Sequence, residues 1–104
     1  MNCKEMMKRA NELNQENVKE KYYEMVLCFS LQDVFNTEDE QITEKDFRTL
    51  LSIMTDYLES CYRVAPYDVA DSIMRLLIAG YSVAELEADY MDDGTLLEDE
   101  VCNM

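Results

Sequence analysis

With 104 residues, 48% of them hydrophobic, and a formal net charge of −14, the chain is too short for two domains of ordinary size and too apolar for an acidic disordered segment. No run approaches the ~18 apolar residues of a membrane span, and the opening MNCKEMMKRA lacks the apolar stretch of a secretory signal, so a cytoplasmic protein is expected. Histidine is absent and there are two glycines, which leaves no common zinc set and no phosphate-cradling loop.

From Met1 to about Asn14, Met6, Met7, Ala10 and Leu13 mark one stripe of a predicted helix, with Lys4, Glu5, Lys8, Arg9 and Glu12 outside it. Met1 to Lys21 holds five basic and four acidic side chains, a net of +1, so Tyr22 to Met104 carries −15. Asn14 to Asn17 reads as a break or a polar turn. In the following NVKEKYYEMVLCFSLQDVF two periods compete. Tyr23, Met25, Leu27, Phe29 and Leu31 alternate as in a strand, while Val18, Tyr22, Met25, Val26, Phe29 and Asp33 follow helical steps. Helix is the expectation, because a lone strand has no partner unless a second copy supplies one.

Asn36 to Gln41, NTEDEQ, has no apolar residue and reads as a loop. Thr43 to Tyr62 is the strongest helical signal. Thr43 with Asp46 is a variant of the capping box, and Glu44 and Asp46 suit the positive helix start. Phe47, Leu50, Leu51, Met54, Tyr57, Leu58, Cys61 and Tyr62 fall on its inward side; Thr49, Ser52, Thr55, Asp56, Glu59 and Ser60 fall on the other. Pro66 marks a turn. A third long helix is expected from Tyr67 or Asp68, with Val69, Ala70, Ile73, Met74, Leu76 and Leu77 inward and Gly80 as its left-handed terminator.

Ser82 with Glu85 forms a second capping box, opening a short helix through about Met91 with Val83, Leu86 and Tyr90 inward; Asp92-Asp93-Gly94 stops it. The last stretch, about 95–104, reads as one more turn or a frayed tail. The expectation is a single acidic all-α domain over 1–104, a compact bundle of four to five helices.

Cys3, Cys28, Cys61 and Cys102 lie far apart without a CxxC pair, and read as free thiols, Cys28 and Cys61 as small core side chains. The carboxylates are spread over solvent-facing positions rather than paired in an apolar setting, so neither an enzyme nor a cofactor is expected. DYMDDGTLLEDE, Asp89 to Glu100, invites comparison with a calcium loop: Asp89, Asp93, Gly94 and Glu100 stand at its first, fifth, sixth and twelfth positions. Met91 occupies the third, where an oxygen ligand is needed, so no metal site is expected. The hairpin around Ala79-Gly80-Tyr81-Ser82 has the form of a helix-turn-helix, but its second helix offers Glu85, Glu87 and Asp89 to the phosphates, which excludes direct nucleic-acid binding. The tyrosine and methionine stripes read as core packing rather than a ligand groove.

After Arg75 no basic residue occurs, while Glu85, Glu87, Asp89, Asp92, Asp93, Glu98, Asp99 and Glu100 supply eight acids. Such a charge repels itself and exceeds what solubility needs. Carboxylates three or four residues apart on a helix, roughly 5–6 Å between Cβ atoms, approach the charge row of a duplex, which carries one charge per ~1.7 Å. In size, charge and helical class the whole chain resembles the small acidic inhibitors, anti-CRISPR and anti-restriction proteins, that mobile genetic elements direct against host nucleases. That resemblance implies a cytoplasmic partner in a bacterial host cell, a nuclease or CRISPR effector whose basic nucleic-acid groove the inhibitor fills as a DNA mimic. The acids that suit this role by their own placement are Glu38, Asp39, Glu40, Glu44 and Asp46, then Glu85, Glu87, Asp89, Asp92 and Asp93. Two alternatives remain: a helical adaptor or dimerisation module, acidic only for solubility, with the Met-rich first helix as its contact and a homodimer among its forms; and a regulator sequestering a basic DNA-binding protein.

Overall fold

The computed structural model describes residues 3–13, 19–34, 42–61 and 63–102. Among them are six helices and no strand: α1 (Cys3–Leu13), α2 (Lys19–Val34), α3 (Glu44–Ser60), α4 (Pro66–Ile78), α5 (Val83–Asp92) and α6 (Thr95–Cys102). The all-α class holds; the expected four to five helices become six. The Cα radius of gyration, 13.0 Å, is that of a compact chain of this length, ≈ 13 Å for 100 residues. The breaks read at Asn14 to Asn17 and Asn36 to Gln41 lie outside the described residues.

Alone, α1 is too short to persist in water; it is held by packing along α2. Met6 and Ala10 are fully buried there, whereas Met7 is 50% exposed, contrary to the inward place expected of it. The four steps from Met6 to Ala10 keep one face, and Met7 sits about 100° round from Met6.

The competing period in α2 resolves as helix, but with a different face inward. Tyr23, Val26, Leu27, Ser30 and Leu31 are buried together with Cys28, at i, i+3, i+4, i+7 and i+8 spacing. Tyr22 and Phe29, expected to be core, are exposed, and Met25 is half-buried. The reason is that α2 packs against α1, α3 and α4, so a broad arc of it is covered and Tyr22 and Phe29 fall outside that arc.

Thr43 caps α3 as expected, its Oγ1 accepting from the Asp46 N–H at 3.0 Å. Phe47, Leu50, Ile53, Met54 and Leu58 are buried, while Leu51, Tyr57 and Cys61 are only half-buried. Ile53, on neither predicted face, is core. Each fully buried side chain of the Phe47, Leu50 and Met54 kind contributes roughly 1.5–3 kcal/mol.

The turn marked by Pro66 falls just before it, with Ala65 extended as the residue preceding a proline is expected to be, and α4 starts at Pro66 itself, one residue before the expected Tyr67; the fixed φ and missing N–H of proline suit a helix's first position. Contacts with α2, α3 and α6 make α4 the shared wall of the bundle. Fully buried Ser72 donates its hydroxyl to the Asp68 carbonyl at 2.9 Å, which lets a polar residue sit where only apolar ones were expected. The helix ends as read: Gly80 has φ +109°, and Tyr81 N–H donates to Leu76 O while Gly80 N–H donates to Leu77 O, both at 3.1 Å, a Schellman closure.

At the start of α5, Ser82 and Glu85 exchange both bonds of the capping box, at 3.1 and 3.3 Å. The stretch after Gly94, expected to end in one turn or fray, is an eight-residue helix whose Leu97 is buried and which packs on α4 and α5. No helix among the described residues is long and apolar enough to cross a membrane.

Candidate partner-binding surface

Two groups of acids were expected to act together, and their surroundings differ. Glu38, Asp39 and Glu40 lie outside the described residues. Glu44, at the α3 start, accepts from Arg9 at 3.1 Å and from Arg48 at 3.3 Å, and Arg9 lies 5.1 Å from the Phe47 ring centroid. Burial works against the Arg9 charge, but the bond to Glu44 and its field outweigh it, and the guanidinium is held above its ordinary pKa. With two arginines on it, Glu44 adds little to any outward negative field. Asp46 is half-buried in the first turn of α3.

The second group lies on α5 and the turn into α6. Gly94, with φ +69°, reverses the chain, and its carbonyl accepts the first helical bond of α6 from Glu98 N–H at 3.1 Å. The Thr95 and Leu96 amides would be left unpaired at this start. Asp93 Oδ1 accepts from Thr95 N–H at 3.1 Å and Asp89 Oδ2 from Leu96 N–H at 3.0 Å. The bonds with Thr95 hold the Asp93 carboxyl below its usual pKa. The pattern that resembles a calcium loop is thus a helix cap, with the oxygens at its first and fifth positions directed at backbone amides. Among the described residues no group of three His, Cys, Asp or Glu side chains is placed to hold a metal ion.

Glu85 is spent on its own cap, but it remains exposed, as do Glu87, Asp92, Asp93, Glu98 and Asp99; Asp89 and Glu100 are half-buried. All eight keep a surface free of any basic residue of their own segment. To these the fold adds two acids that sequence reasoning passed over. The Tyr90 hydroxyl donates to Asp56 Oδ2, which sets the end of α5 against the middle of α3. Burial, then the bond to Asp56, pushes the Tyr90 phenol pKa well up. Burial likewise raises Tyr57, helped by the fields of Cys61, Cys102 and Glu98. Asp56 and Glu59 line an open groove of about 400 Å³ along α3 with Arg48, Leu51, Ser52 and Thr55. Their signal was the polar side of the central helix; what was missing was its neighbour, 34 residues away.

The exposed acids thus lie on α5, on α6, in the turn between them and on the polar side of α3, whereas α1 carries mixed charge. Comparison with family models, with curated proteins and with solved structures gives no match.

Proposed function

We propose that the protein is a non-enzymatic inhibitor that occupies the basic nucleic-acid-binding surface of a nuclease or CRISPR effector, acting as a DNA mimic in the cytoplasm of a bacterial host cell. The observation that carries this reading is the run of eight acids without a base after Arg75, six of them exposed on α5, α6 and the turn between. Helices hold these carboxylates on a rigid frame, and a rigid array loses little entropy on meeting a groove built for phosphates. Glu87, Asp92, Glu98 and Asp99 make the outermost contacts, with Asp56 and Glu59 extending them; Asp89 and Asp93 serve mainly by holding α6 in place. Association with such a partner is fast and weakens with salt.

The test is competition. The protein is added to basic nucleases and CRISPR effectors loaded with labelled duplex, and displacement is read by fluorescence anisotropy at low and high salt. Displacement that fades with salt and disappears in Glu87→Lys/Asp92→Lys is expected. Displacement unchanged by that double reversal, or none from any member of the panel, sinks the proposal.

A second reading, a helical adaptor working through an apolar face, is favoured by exposed Met7, Tyr22 and Phe29. Partner capture insensitive to salt but lost on altering those residues distinguishes it. Of the two methionines on that first helix, Met6 is fully buried and belongs to the core, which leaves Met7 for such a contact.

A further inference from the structure

An apolar edge stands open on α2, a helix packed against three others. Tyr22 is 42% and Phe29 38% exposed, they lie seven residues apart on one line of the helix, and half-buried Met25 falls beside them. On the helix packed against it, Met7 is 50% exposed. A helix apolar on nearly every side is one that is buried on nearly every side. Here α1, α3 and α4 cover part of α2 and leave the edge with two aromatic rings.

We infer that this edge, with the outer side of α1, is a contact between two copies of the chain. Charge selects the occupant. A chain of net charge −14 repels its own copy over most of its surface, and the repulsion is least where both signs are present. On α1, Lys4, Lys8 and Arg9 stand against Glu5 and Glu12, a net of +1, and Lys4, Lys8, Glu5 and Glu12 are exposed. Two α1–α2 faces brought together across a two-fold axis therefore oppose mixed charge to mixed charge rather than acid to acid. Any pairing through α5 and α6 opposes acid to acid.

The area suffices. A stable pair needs roughly 800 Å² from each partner, about an eighth of the 6461 Å² the chain exposes, and the outer side of two packed helices, the longer about 24 Å in length, offers an area of that order. The contact is made by α1 and α2, and the proposed docking surface lies on α5, α6 and α3, so the two use different residues.

Sedimentation of the full chain at micromolar concentrations tests this independently of any nuclease. The wild type is expected to be a dimer. Tyr22→Lys/Phe29→Lys is expected to weaken self-association tenfold or more, on the order of a lost interface anchor, with helicity by circular dichroism unchanged. Ile78→Lys/Met91→Lys, which alters apolar residues 71% and 80% exposed elsewhere, is expected to leave the dimer intact. Should the α2 double variant fail to fold, Met7→Glu on exposed α1 gives the same reading. A wild type that stays monomeric throughout the range, a dimer broken by the Ile78/Met91 pair, or a dimer indifferent to both the α2 and the Met7 variants overturns the inference.

Discussion

The Tyr90 hydroxyl donates to the carboxylate of Asp56, 34 residues before it, and this bond ties the last turn of α5 to the middle of α3. Tyr90 is half-buried and Asp56 exposed, so water competes for the pair and its value falls below that of a fully buried charged bond. Tyr90→Phe is expected to lower stability by about 1 kcal/mol. Asp56→Asn should do the same, and the double variant little more than either alone, because the two changes remove one interaction. Urea midpoints at constant m-value measure it. Additive losses would mean that the two groups act separately.

Alkali should unfold the protein before it unfolds most proteins of this size. Burial pushes the Cys28 thiol up from 9.0 to about 12, and the Tyr57 and Tyr90 phenols also lie above their ordinary 10.0. Each group holds its proton more tightly when folded than when unfolded. The folded form thus binds more protons above about pH 9, and the stability these groups contribute, complete below their unfolded values, is lost as pH rises toward the folded ones. Cys28→Ala should flatten this decline between pH 9 and 12. Thermal melts across that range provide the check, and a wild-type melting temperature that stays level through pH 11 counts against it.

What was legible in the sequence was what depends on near neighbours. The Thr43 and Ser82 caps and the left-handed Gly80 follow from residues three to five apart, and the structure has them as read; the inward side of α4 follows for Val69, Ala70, Ile73, Met74 and Leu76, with Leu77 half-buried and Ser72 added to the buried side. The face of α2 was not legible, because apolar residues stand all round it and the inward side is chosen by α1, α3 and α4. Ser30 at the centre of the buried stripe concealed it further. The last helix escaped for a related reason: its cap comes from Asp89, seven residues before the amide it satisfies, and its support from α4. The count of charges was readable, but not which of them are engaged, since Arg9 reaches Glu44 across 35 residues.

Removing the two carboxylates that start α6 should loosen that helix selectively. Asp93→Ala exposes the Thr95 amide and Asp89→Ala the Leu96 amide, and an unsatisfied helix start frays. Amide exchange at Thr95 and Leu96 is expected to quicken, while amides in α2 keep their rates. Because the folded Asp93 carboxyl lies below its ordinary pKa, its contribution is present above the unfolded value and fades as pH falls through the folded one. Exchange at Thr95 should therefore quicken in acid in the wild type and be less pH-sensitive, beyond the intrinsic rate, in Asp93→Ala. Uniform quickening over all helices would show that α6 is not an independent end.

Gly80→Ala separates strain from crowding. An added Cβ meets nothing within 4 Å, yet φ is +109°, where a side chain opposes the backbone. The expected loss is roughly 1–2 kcal/mol, with both Schellman bonds at stake. No loss, measured by urea unfolding, would mean that the turn relaxes freely.

If the protein docks on a basic partner as proposed, the acids of α5 set stability against binding. Glu87 and Asp92 are exposed on a segment with no base of its own, so each adds to the repulsion that the folded chain carries. Glu87→Lys and Asp92→Lys should therefore stabilise the fold by up to about 0.5 kcal/mol each, and rising salt should stabilise the wild type more than the double variant by screening the same repulsion. The same two changes are expected to abolish displacement of duplex from a basic nuclease. A fold that gains stability while losing its partner identifies carboxylates kept for binding. If the reversals instead destabilise the chain, the acids are engaged in local contacts that hold the helix, and their charge needs no partner to explain it.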